Sequence, residues 1–434
     1  MKVSSPTLFV GAVWLMLTAG SLTYVARFAG ADPFGDEWDL MPGVAYQTPY
    51  LPWLWAQHNE HRLPLPKLIF TWLLRAGPFD ARAGGFATVL VLSAVSFGLM
   101  RAAKRLRGQT DYSDAFFPIA FLNWGHFENY LIGFQIGFAM SAGLAIGWLL
   151  AALDWIERRE RSSAKWFGIF LLLLPLCGAH GLVYAPPLGI ASLWLVRAGP
   201  PSVRVGAGLA CAGAWAVSAA YFLGYQRPPT HPASAGVAAS WTIALETLAL
   251  GWGWCGQMTW PASGAMIAAF IVATGALLAA SFRSDPDRTL AFLAVGAGTI
   301  TLAGGIGWGR SGFGPLAGFA VRYGILMLPL MVAGYLAWLR FNGSLAPMTL
   351  FTISVLFLTQ HARTGLAEGR ANARKMAAFA TDLRAGLGDD ELARKHADLY
   401  PNPAVLAERI RLLRSSGIAR YAAPTPARAG LQSR

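Results

Sequence analysis

Two short stretches concentrate the groups able to move protons or grip ions: Gly35-Asp36-Glu37-Trp38-Asp39 and Gln57-His58-Asn59-Glu60-His61-Arg62. A carboxylate of the first stretch could accept a proton from a hydroxyl or orient it. Adjacent acids such as Asp36 and Glu37 also suit a coupled pair, in which one ionises readily and the other does not. The plain alternative is a solvated turn with Trp38 at a membrane interface. In the second stretch the spacing of His58 and His61 permits metal ligation if the chain is helical there. It is not the HExxH arrangement and no cysteine accompanies it. A hydrogen-bonded network of His58, Glu60, His61 and Arg62 that braces the loop or contacts substrate is the better reading. No cofactor is implied, although a divalent metal is compatible with these residues.

Further along, Trp124-Gly125-His126-Phe127-Glu128-Asn129 forms another polar turn between apolar runs, and Glu128 is expected to join Asp36 in one cavity. Gly307-Trp308-Gly309-Arg310 and Arg322-Tyr323 flank a glycine-rich loop. Arginine at an outer membrane boundary runs against the positive-inside rule, so an anionic lipid headgroup is one explanation and snorkelling is the other.

The elements that must hold these residues are helices in a membrane. Of the 434 residues 55% are hydrophobic and 13% charged, about half the charged share of a soluble domain. The expectation is an all-α, polytopic membrane helix bundle. Segments of spanning length fall at 7–26, 84–100, 115–124, 131–155, 166–176, 182–196, 205–225, 262–282, 289–308, 323–339 and 345–359, or about eleven crossings. A signal peptide is a weaker reading of the first segment, because its apolar run is long and the chain goes on spanning. Basic clusters at Arg101, Lys104, Arg105 and Arg107 and at Arg158, Arg159, Arg161 and Lys165 are expected to be cytoplasmic. That orientation puts the N-terminus inside and the loop 27–83, the Glu128 turn, the loop after Arg310 and the C-terminus outside. The acids and histidines singled out above therefore gather on one face.

The net charge of +13 does not argue for nucleic acid, since it is spread over inside loops and the tail with no binding motif. Cys177, Cys211 and Cys255 lie in apolar sequence and read as small core residues. Within the first loop, 65–75 is apolar but short and reads as a helix lying along the membrane. Residues 1–359 form the membrane domain and 360–434 an outside helical tail. Asp389-Asp390-Glu391 starts one helix of this tail. Asn402-Pro403 starts a second, whose Leu406, Ile410 and Leu413 share a face. The end from Ala422 holds too little apolar surface to pack.

A first span, a long outside loop opening with Asp36-Glu37, a second acidic outside turn at Glu128 and many later spans resemble the GT-C glycosyltransferases. The Asp-Glu pair is similar to that of the protein O-mannosyltransferases, and the two-loop acidic layout to the bacterial lipid A aminoarabinose transferase. The resemblance covers the N-terminal third, and the later spans only in general plan; the short tail departs from members with large periplasmic domains. It implies an inverting transfer of a sugar from a polyprenyl-phosphate donor to a glycan, lipid or protein hydroxyl, at the outer face of a bacterial-type inner membrane. Asp36 would be the base, Glu37 and Glu128 would orient the acceptor or a cation, and Arg310 and Arg322 would hold the phosphate. His58, Glu60, His61, Arg62, His126 and Tyr323 would line the substrate site.

A transporter or lipid flippase is the main competitor. Such proteins place ionisable groups or broken helices near the midplane, often in two related halves, whereas the acids here cluster in outside loops. Glu246 and the stretch 251–256 are the exceptions, as they could form a re-entrant segment. An oligosaccharide polymerase or ligase would keep its chemistry in later loops.

Overall fold

The computed structural model describes residues 4–421, whose regular elements are all helices; the only β-type pairing among them is a bridge between His58 and His61. Eight helices are long and apolar enough to cross a membrane: Ser5–Phe28, Arg82–Arg107, Gly133–Arg158, Pro201–Tyr221, Ala262–Ser281, Pro286–Phe313, Val321–Phe341 and Leu345–Arg384.

The other three apolar runs expected to span are shorter or broken. The run 115–124 becomes Phe116–Leu122, ended where the Asn123 side chain accepts from the Gly125 amide and starts a new turn. Runs 166–176 and 182–196 become Arg161–Leu173 and Ala185–Leu195. Between them Pro175 and Gly178, at φ 91°, stop the helix; a proline removes a helical donor and a positive φ suits glycine.

These broken pieces still cover height. Asp114 bonds Arg107 and the Tyr335 hydroxyl, while Glu128 bonds Arg322. Arg322 and Tyr335 lie thirteen residues apart along one rod, about 20 Å at helical rise, so 114–128 climbs alongside it by short steps.

Val237–Ala249, absent from the expected spans, packs along Pro286–Arg310. Gly307 permits this, because a Cβ there would strike the Ser240 carbonyl. The helix breaks at Gly253, φ 67°. Glu246, on this helix, accepts from the amides of Leu316 and Gly318 at 3.2 and 3.1 Å and so braces the loop before Arg322.

The composition change at 359 is not a structural boundary. Leu345–Arg384 runs through it as one helix of 40 residues. Its far end, with Asp389–Lys395 and Pro403–Ser415, packs on the first loop. There Trp38, Leu40, Phe70 and Leu74 form a small core with Phe379, Leu392, Leu406, Ile410 and Tyr421. Asn402 caps the last of these helices, accepting from Ala404 and Val405 as its sequence predicts. The end from Ala422 lies outside the described residues.

Candidate active site

The first loop is folded rather than extended. After Phe28 it passes through a short 3-10 helix, Gly35–Leu40, and then through Pro64–Arg75. Glu37 holds the 3-10 helix in place. Its buried carboxylate accepts from the Phe34 amide at 2.9 Å and from the Phe134 amide at 2.9 Å, tying the loop to the start of a spanning helix. Burial pushes its pKa up to about 7, against the pull of those amides. Glu37 is thus a strut, and it does not line the cavity next to it.

Asp36, the next residue toward the N-terminus, is exposed and lines that cavity. In the same lining, His58 and His61 pair through their backbones, N to O at 2.7 and 2.9 Å, around Asn59 at φ 48°, a region asparagine tolerates. The two rings have different company. His58 packs edge-on against Phe134 and lies near Asp36 and Asp39, while the His61 ring lies tilted against that of His180, centroids 4.7 Å apart. The joint metal ligation that the His58–His61 spacing would permit is therefore not what the fold arranges. Burial lowers both imidazole pKa values, that of His61 to about 3, with Arg310 the next cause. Both rings are neutral at pH 7.

The cavity holds about 210 Å³ and brings together Asp36, His58, Glu60, His61, Arg310, Arg322 and Tyr323, seven of the residues singled out from sequence. Glu60 receives Arg310 Nη2 at 2.5 Å and stands 3.6 Å from both His61 and His231. Glu128 lies behind the wall: its Oε1 takes Arg322 Nη1 at 2.7 Å and its Oε2 takes the Arg322 amide at 3.1 Å. It positions the arginine and does not itself line the cavity.

Two expected residues are placed elsewhere. Arg62 donates to the carbonyls of Trp55, Tyr221 and Leu223, so it stitches the loop to the C-terminal end of Pro201–Tyr221, where exposed carbonyls need donors. His126 is buried, its Nε2 2.8 Å from the Ala120 carbonyl, and faces a separate small void beside His361.

A groove of about 580 Å³ adjoins the cavity and shares Glu60, His61, His180, His231, Arg310 and Tyr323 with it. Its further walls are mostly apolar, with Leu182, Val183, Phe222, Leu302, Ile306 and Trp308, and include the polar Tyr221, Tyr225, Arg227 and Ser234. Sequence reasoning missed His180 and His231. Each is a lone histidine; the usable signal at His180 was the Gly178 break in the apolar run, and His231 sits within a proline-rich loop. It also missed Tyr400, whose hydroxyl donates to Asp39 Oδ1 at 2.6 Å.

No family model, curated protein or solved structure matches this chain.

Proposed function

We propose that this chain is a membrane glycosyltransferase that moves a sugar from a polyprenyl-phosphate carrier to an acceptor hydroxyl at the outer face, with inversion. The observation that supports it is the shared wall: a small polar cavity carrying a carboxylate opens onto an apolar groove, and arginine and histidines stand where the two meet. A lipid phosphate needs that combination, an apolar trough for its chain and cations at its head. Each arginine engages its glutamate's carboxylate through one guanidinium nitrogen, which leaves donors for a phosphate.

In the reaction the acceptor oxygen attacks the anomeric carbon, the bond from that carbon to the phosphate oxygen breaks, and the lipid phosphate leaves with the electron pair. Asp36 takes the hydroxyl proton. The leaving group is already weakly basic, so no strong general acid is required. The reading keeps the N-terminus inside and counts eleven crossings, the eight long helices and three shorter ones. The acceptor is a glycan, lipid or protein hydroxyl.

The test is purified protein given labelled polyprenyl-phosphate sugars and scored for released lipid phosphate. Asp36→Asn keeps the shape but cannot take the proton, so turnover falls by about 10²–10⁴ while donor binding persists. Donor binding without any release of lipid phosphate in the wild type would point to a transporter or flippase.

A further inference from the structure

Asp36 and Asp39 make an electrostatic problem that the protein leaves unsolved. Among the described residues neither carboxylate forms an ion pair with any lysine, arginine or histidine, yet they and His58 bring one donor atom each to within 4.8 Å of one another. Lys67, whose charge reaches His58, spends its ammonium on the carbonyls of Trp53 and Ala56. Across the cavity Arg310 and Arg322 are already paired with Glu60 and Glu128. The carboxylates at and behind the cavity wall therefore outnumber its arginines.

His58 points the same way. Its Nε2 is buried and has no hydrogen-bond partner, a costly condition for a polar nitrogen unless something binds it. An imidazole nitrogen without a partner is a common metal ligand. One carboxylate is also aimed: the Tyr400 hydroxyl holds Asp39 Oδ1 at 2.6 Å and leaves the other oxygen uncommitted. A hydrogen bond of this kind, from outside the donor set, is what fixes a metal-binding carboxylate in place.

We propose that Asp36, Asp39 and His58 bind one divalent cation. Ligands at about 2.1–2.4 Å from an ion can stand up to about 4.8 Å apart, which matches the spread of these donors. Two carboxylates and one imidazole, with Asp36 open to water that completes the shell, suit an ion of the Mn²⁺ type rather than a site closed by cysteines. Each residue supplies one donor atom, so Asp36 keeps its second oxygen for the proton assigned to it above. The bound ion also adds positive charge on the side of the cavity opposite Arg310. The site itself does not depend on the transfer reading.

The experiment is a Mn²⁺ titration of the purified full-length protein in detergent, followed by electron paramagnetic resonance. The expected result is one Mn²⁺ per chain, abolished by Asp39→Asn and by His58→Ala and weakened about tenfold by Tyr400→Phe. Absence of stoichiometric Mn²⁺ in the wild type overturns the proposal. So does unchanged binding in the Asp39 and His58 variants. Because those variants could misfold, the wild type carries a second readout: Mn²⁺ raises its melting temperature in a concentration-dependent way, and a melting temperature indifferent to Mn²⁺ counts against the site. Mn²⁺ binding without sugar transfer leaves the site standing and removes only the glycosyltransferase reading; transfer without Mn²⁺ binding does the reverse.

Discussion

Replacing Glu37 with glutamine separates a strut from a catalyst. The carboxylate now serves two backbone amides, Phe34 N–H on Oε2 and Phe134 N–H on Oε1, each at 2.9 Å. Glutamine offers one oxygen and one NH₂, so one of the two amides would face another donor in a site that is 1% exposed. A buried donor left unsatisfied costs about 1–3 kcal/mol, and Glu37→Gln should lose that much at pH 5.

The loss should then shrink as pH rises. Burial raises the Glu37 pKa from 4.5 to about 7 in the folded protein. A raised carboxylate pKa means the native state binds the proton more tightly than the unfolded chain. Its contribution is therefore complete below 4.5 and fades as pH climbs through 7, by on the order of 3 kcal/mol in all. Glutamine does not titrate and lacks this term. Thermal melts of both proteins in detergent, read by tryptophan fluorescence at pH 5, 6.5 and 8, should show a gap that closes toward pH 8. A gap that widens with pH would mean the amides outweigh desolvation. A variant as stable as the wild type at pH 5 would dissolve the strut altogether. Loss of transfer with unchanged melting would return Glu37 to the chemistry.

Glu128→Gln and Arg322→Ala should act alike, raising the donor concentration needed for half-maximal transfer, since one holds the guanidinium that the other supplies; a Glu128 variant with unaltered donor dependence would show that Arg322 needs no positioning. For topology, cysteines introduced at the exposed positions Lys104 and Ala378 can be challenged in intact cells with an impermeant thiol reagent, the three native cysteines being buried. Labelling at 378 but not at 104 is expected, and the opposite pattern would invert the whole arrangement.

The helical membrane character was plain in the sequence because composition and apolar run length report directly on the solvent a helix must face. Helix breaks were harder to see. The run 115–124 is apolar but for Asn123, and that side chain offers the Gly125 amide a better partner than the next helical turn. Val237–Ala249 escaped notice because Ser240, Thr242, Glu246 and Thr247 dilute its hydropathy, and the partners of Glu246 and Thr247 at 316–318 lie in a distant loop that local pattern cannot reveal. At the site the acids and arginines were found by their misfit with a membrane sequence. Their roles were not, because Asp36 and Glu37 are neighbours in the chain yet differ in burial: one faces the cavity, the other is folded under it. Arg62 and His126 look as functional as Arg310 and His61 until the carbonyls they serve are seen.

The clasp between the two ends of the chain carries a consequence for how the protein is made. Gly35 N–H bonds the Leu399 carbonyl, Tyr400 reaches Asp39 across 361 positions, and Arg420 and Tyr421 both bind Asp32. The loop that emerges from the ribosome among the first residues is completed by some of the last. Until then Trp38, Leu40 and Phe70 lack the apolar cover that Leu399, Leu406, Ile410 and Tyr421 give them. A message truncated between Arg384 and Leu399 would yield a polypeptide that keeps all eight long apolar helices and still shows an uncovered sticky face, a mark that surveillance proteases can read as unfinished work.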